Sequence, residues 1–183
     1  MRVFVSALLV TVVILCAGCA SIPLSTALSL SSISPRTLAQ IDPGQVRVRL
    51  SVPTDYEINI PKSRLNLALT TPTGTSTGEM KLSLLGVTKE SRSGGLFKAD
   101  IPVSTYLLML SPDGSRQLQE LQRRILTNDP TGYEFSVNAP FSKVPANPIE
   151  VTFWADLKLS PKDPFMPLID GAKIRFKHSP TSS

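Results

Sequence analysis

Val46-Arg47-Val48-Arg49-Leu50-Ser51-Val52 sets Val46, Val48, Leu50 and Val52 along one side of an extended chain and Arg47, Arg49 and Ser51 along the other. Side chains alternate across a strand, so an apolar row opposite a polar row predicts a strand with one face on a core and one in water. The rhythm spreads in both directions. Leu65, Leu67 and Leu69 stand against Arg64, Asn66 and Thr70, and Met80, Leu82 and Leu84 against Glu79, Lys81 and Ser83. It returns in Phe97, Ala99 and Ile101, in Tyr133, Phe135 and Val137, and in Val151, Phe153, Ala155, Leu157 and Leu159. The last run is Ile174 and Phe176 between Lys173, Arg175 and Lys177. Pro53, Pro61, Pro72, Pro112, Pro130, Pro140 and Pro161 fall between these runs, where a missing N–H breaks no ladder. Residues 71–78 and 91–95 read as turns.

Two segments depart from the alternation. Residues 103–110 are apolar on both faces, which predicts a strand covered on both sides. Residues 115–126 place Leu118, Leu121 and Ile125 on one helical face, with Arg123 and Arg124 in the last turn, where cations suit the helix dipole. Asn128, Asp129 and Pro130 end that helix. The economical expectation is that the helix lies on the outer face of the preceding strand. The fold expected is all-β: an antiparallel β-sandwich, immunoglobulin-like or transthyretin-like, of seven to eight strands with one inserted α-helix.

The N-terminus is of another kind. Met1 and Arg2 precede an almost unbroken apolar run from Val3 to Leu15, and Cys16-Ala17-Gly18-Cys19 follows. That is the grammar of a signal peptide, and the run is too short to span a bilayer. The segment resembles the lipobox of bacterial lipoproteins, although Cys16 stands where that family carries Leu, Val or Ile. The resemblance implies cleavage after Gly18 and acylation of Cys19, with an ordinary signal peptide cut near Ala20, or an uncleaved anchor, as the alternatives. Several acyl chains hold a protein firmly where one holds it marginally. By the family's sorting rule, Ala20 and Ser21 after the cysteine imply the outer membrane, facing the periplasm, in an organism that has one.

The organisation expected is then a leader over 1–18, a lipidated N-terminus and flexible tether over 19–32, one domain over 33–178 and a disordered tail over 179–183. About 165 of the 183 residues remain after cleavage, enough for one domain with a real core. Ser34-Pro35-Arg36-Thr37 reads as a capped helical turn that Leu38 and Ile41 pin to the domain. Both cysteines are accounted for, so no disulfide, thiol nucleophile or cysteine metal site is expected. Arg2 leaves with the leader, and the formal charge of +5 falls to about +4, mildly basic.

Little chemistry can be assembled from the remainder. The single histidine, His178, is six residues from the end, where a general base has no walled site. The carboxylates are scattered: Glu150 and Asp156 on an outer strand face, Asp163 and Asp170 in a loop, Asp113 and Asp129 flanking the helix. Gly74-Thr75-Ser76-Thr77-Gly78 has the glycines of a phosphate loop without its lysine or its following helix. No enzyme, cofactor, metal or nucleic-acid partner is inferred, nor any small-molecule substrate.

Three features stand above that background. Arg47 and Arg49 on the first strand and Lys173, Arg175 and Lys177 on the last form one basic patch if the two strands share a sheet; otherwise they are solubilising charges that protect an edge. Trp154 alternates onto the polar face, as an interface anchor or packed beneath a loop. Phe165, Met166, Leu168 and Ile169 make the connection before the last strand apolar, either to plug the end of the sandwich or to meet a partner or membrane. The function expected is that of a non-enzymatic, membrane-anchored envelope lipoprotein acting as an interaction or assembly module for another envelope protein. The alternative is binding of an anionic envelope polymer or lipid headgroup through the basic face.

Overall fold

The computed structural model describes residues 33–93, 99–128 and 130–176. Cys19 and the expected leader and tether lie outside the described residues, as do Phe97, Lys177, His178 and the expected tail.

Nine strands and two α-helices follow in the order α1 (Pro35–Leu38), β1 (Arg47–Pro53), β2 (Glu57–Ile58), β3 (Arg64–Thr71), β4 (Gly74–Arg92), β5 (Ile101–Leu110), α2 (Pro112–Asn128), β6 (Gly132–Asn138), β7 (Phe141–Lys143), β8 (Glu150–Lys158) and β9 (Met166–Arg175). Seven strands make one antiparallel sheet in the order β6-β3-β4-β5-β1-β8-β9, and β2 pairs with β7 apart from it. The fold is mostly β, as expected, and the seven-stranded antiparallel sheet is nearly closed as a barrel.

The reason lies in β4. Its first part, up to Lys81, pairs with β3, and its second part, from Leu82, pairs with β5. One strand of 19 residues therefore belongs to both layers that a sandwich would keep apart. The register slips between Leu84 and Gly86 with Leu85 as the extra residue, and such a bulge bends its strand.

The alternating rows give the interior. Val48, Leu50 and Val52 of β1, Leu65, Leu67 and Leu69 of β3, Met80 and Leu82 of β4, Tyr106, Leu108 and Leu110 of β5, Phe135 of β6 and Val151, Phe153, Ala155 and Leu157 of β8 form one cluster. Leu118, Leu121 and Ile125 of α2 join the same cluster. The helix thus packs on the inside, chiefly against β4, and does not cover the outer face of β5 as expected. Glycines permit that approach: a Cβ on Gly114 would collide with the Lys81 carbonyl oxygen, and one on Gly78 would sit 2.5 Å from a Leu121 methyl carbon. Helix α2 starts at Pro112, with the Ser111 hydroxyl accepting from Gly114 N–H at 3.1 Å.

The short connections close the two ends. Gln122, buried within α2, donates to the carbonyls of Leu38 and Ile41 and so fastens α1 to the helix. At the opposite end Tyr56, Phe141 and Phe176 pack as three aromatic rings with centroids 5.4 to 6.2 Å apart. The strand read as starting near Lys173 begins at Met166, so the apolar stretch ahead of it is mostly strand.

Candidate functional site

β1 and β9 belong to one sheet, but β8 lies between them and supplies carboxylates. Asp156, 5% exposed, accepts from Arg49 at 3.0 Å and from Arg92 at 2.9 Å. Glu150 accepts from Lys173 at 2.6 Å and from Arg175 at 3.3 Å. Hydrogen bonds from Lys173 and then Arg175 hold the Glu150 carboxyl below the usual carboxylate range. Arg47 turns back on its own backbone, donating to the carbonyls of Gly44 and Val46. The row of outward cations is therefore divided into clusters of two cations around one carboxylate, each with one positive charge left over; Lys177 is outside the described residues.

Arg92 reaches Asp156 from the end of β4, so its side chain crosses the outer face of β5 and β1. Its Nε is buried with no hydrogen-bond partner among the described residues. Beneath it the hydroxyls of Ser51 and Thr105, both buried, are 2.8 Å apart. Trp154 shares their row, as alternation requires, yet it is 4% exposed and cannot anchor a partner from the surface. The indole fits because Asp170 and Gly171 together stand opposite it: the register slips between Phe153 and Ala155, and Gly171 takes a φ of +70°. A Cβ there would sit 3.4 Å from the indole Nε1. A glycine in the left-handed region is the usual means of placing such a bulge.

The apolar stretch around it is likewise folded in. Phe165 lies over the Arg49 guanidinium at 4.2 Å from its ring centre, with the Lys158 ammonium at 5.8 Å. Leu168 is buried, and Met166 and Ile169 pack half-buried against the core. The structure brings Trp154 and Phe165 onto one face but covers that face with the β8–β9 connection and the end of β4.

The exposed apolar surface is elsewhere. Leu84, Leu85 and Val87 are 48%, 48% and 49% exposed, all at the bulge of β4. Among the described residues no strand pairs with β4 beyond Lys81 on the side away from β5, so these side chains flank an open backbone edge. Leu84 was placed on the core face by alternation, and it is in register with buried Leu108; the core does not extend that far. The signal that could have marked this site is Leu84-Leu85-Gly86, where two adjacent leucines and a glycine break the period of two.

A groove of about 580 Å³ beside α2 is lined by Arg64, Glu79, Lys81, Asp113, Arg116 and Glu120, three cations against three anions. Asp113 is ion-paired to both Lys81 and Arg116. Among the described residues no three His, Cys, Asp or Glu side chains gather as metal ligands. No protein-family model, curated protein or solved structure matches this chain.

Proposed function

We propose that this protein is a lipid-anchored component of the cell envelope that acts without catalysis, as an interaction module for another envelope protein. In an organism with an outer membrane it is held there through Cys19 and faces the periplasm. The occupant of its contact strip is an extended segment of the partner, laid along the open edge of β4 beside Leu84, Leu85 and Val87. The observation that carries the reading is that strip: three large apolar side chains within four positions, on a strand with an unpaired edge. Proteins ordinarily blunt such an edge with charge, proline or cover, and an edge left apolar is a template for a further strand. The backbone would supply affinity, and the side chains would supply selectivity.

The same bulge bears on the finer fold. We read the nearly closed sheet as a sandwich whose two layers share β4, with β6-β3 on one side and β5-β1-β8-β9 on the other, in an immunoglobulin-like or transthyretin-like spirit. The alternative of an anionic polymer on the basic face has less in its favour, since Asp156 and Glu150 compete for Arg49, Lys173 and Arg175 and halve the charge that such a polymer would meet.

The test is site-specific photocrosslinking in cells from position 87. One defined envelope protein should be captured there and not from position 142, and Val87→Asp should lower the partner's affinity at least tenfold without changing the melting temperature. Equal capture from both positions would remove the edge from consideration. Mass spectrometry of the mature N-terminus tests the anchor: an unmodified N-terminus beyond Cys19 would end the lipoprotein reading.

A further inference from the structure

The chain enters the fold at a defined end of the sheet. The Ser34 hydroxyl caps α1, accepting from Thr37 N–H at 3.1 Å, and Tyr133 Oη donates to the Ile33 carbonyl at 3.0 Å. Gln122 holds the carbonyls of Leu38 and Ile41 at 3.1 and 2.7 Å. These contacts fix Ile33 beside the start of β6. Tyr133 pairs with Leu69 near the end of β3, Thr131 N–H donates to the Thr70 carbonyl, and Arg124 near the end of α2 reaches the Ser76 hydroxyl. The β3–β4 turn, the start of β6 and the end of α2 therefore share this end. The other end, where Arg64 pairs with Asn138 and β7 follows, is about 25 Å away along β3.

Leu126 stands one turn beyond Gln122 on the side of α2 that meets α1, and it is 68% exposed. Arg123, also one turn away, and Arg36 on α1 are exposed and make no ion pair among the described residues. Arg124 adds a third cation. Against them among the described residues stand Glu134 on β6 and Asp42 beside Ile41, both exposed. A bare leucine among arginines suits a headgroup layer, the leucine entering the acyl boundary while the guanidinium groups meet phosphate.

We propose that this end, with Leu126, Arg123 and Arg36, is the face that lies on an anionic lipid surface. The inference rests on acylation of Cys19 as read above. Residues 20–32 can span at most about 45 Å even fully extended, which keeps the domain beside the bilayer, and Leu126 with its arginines decides which end turns to it. A tethered contact acts at high effective concentration, so the surface need only orient the domain and not hold it there unaided. β4 then starts at the membrane end and carries Leu84, Leu85 and Val87 away from it.

The experiment uses the full acylated protein in vesicles of phosphatidylethanolamine and phosphatidylglycerol. With Cys16 removed and Cys19 acylated, Leu126→Cys or Ser142→Cys provides a single site for a fluorophore, which spin-labelled lipids quench. Quenching at position 126 should exceed that at 142 at least threefold, and adding Arg36→Glu with Arg123→Glu should bring the two to parity at unchanged circular dichroism. Equal quenching in an acylated protein, or an excess at 142, would overturn the orientation and leave the anchor intact. A chain without acyl mass that fails to enter vesicles would overturn the anchor and the orientation with it.

Discussion

The two parts of β4 meet their neighbours differently: the first is mostly polar yet buries Met80, and the second is apolar at the bulge yet stands in water. From Gly74 to Lys81 the strand lies between β3 and α2, with Met80 completely buried and Gly78 so close to Leu121 that no side chain fits. From Leu84 to Val87, beyond the bulge, equally apolar side chains stand half in water, and a Cβ on Gly86 would meet nothing within 4 Å. Apolar content alone does not decide burial here; the neighbour does: β3 pairs no further than Lys81, and α2 begins beside that residue. An apolar residue within reach of both becomes core, and one beyond them becomes surface.

The largest effect expected from breaking this contrast is at the helix. Leu121→Ala empties a buried site between α2 and β4 and should cost about 2 to 5 kcal/mol in denaturant unfolding. A loss under about 0.5 kcal/mol would mean that α2 does not bear on the first part of the strand. The paired glycines sharpen the comparison. Gly78→Ala should cost about 1 to 3 kcal/mol because Leu121 must move, whereas Gly86→Ala should change stability by no more than about 0.5 kcal/mol. Equal costs at the two positions would show that the bulge region is as tightly packed as the core. Smaller again is Val87→Ser, whose effect on stability should stay within about 0.5 kcal/mol.

Smallest is the pH response of the β8–β9 edge. Glu150 is held below its ordinary range by Lys173 and Arg175, so its contribution is complete above pH of about 4.5 and disappears as the pH falls through the lowered value. Amide exchange at Thr152 and Lys173 should therefore be flat between pH of about 5 and 7, after correction for intrinsic rates, and quicken only in more acidic solution. A quickening that begins above pH of about 5 would show that the carboxyl is not held down by its cations.

How much of this was legible depends on the range of the signal. Alternation is local, so the rows of β1, β3, β6 and β8 could be read from single segments, and Ser34-Pro35 announced α1 through its own cap. The side on which α2 packs was not legible, because its apolar face fits either side of β5; the deciding contacts come from Gly78 and Gly114, far apart in sequence. Alternation puts Trp154 on the correct face and leaves open whether it is exposed there or packed beneath a loop; the structure shows it packed. Burial on an outer face depends on distant cover, here on the Gly171 bulge, Phe165 and Arg92. The cations of β1 and β9 were separately visible, whereas their division by Asp156 and Glu150 required knowing that β8 runs between them.

The claim that β4 is buried at Met80, beneath α2, and an open edge beyond the bulge is tested most directly by amide hydrogen exchange resolved along that strand, in the full chain carrying Cys19→Ala. The amide of Met80, opposite buried Leu65 of β3, should exchange only by global unfolding. From Gly86 to Ser91 every second amide, the set turned away from β5, should exchange faster by at least two orders of magnitude than the set bonded to it. Uniform strong protection from Gly86 to Ser91 would contradict the account, because it would mean that the edge is already covered.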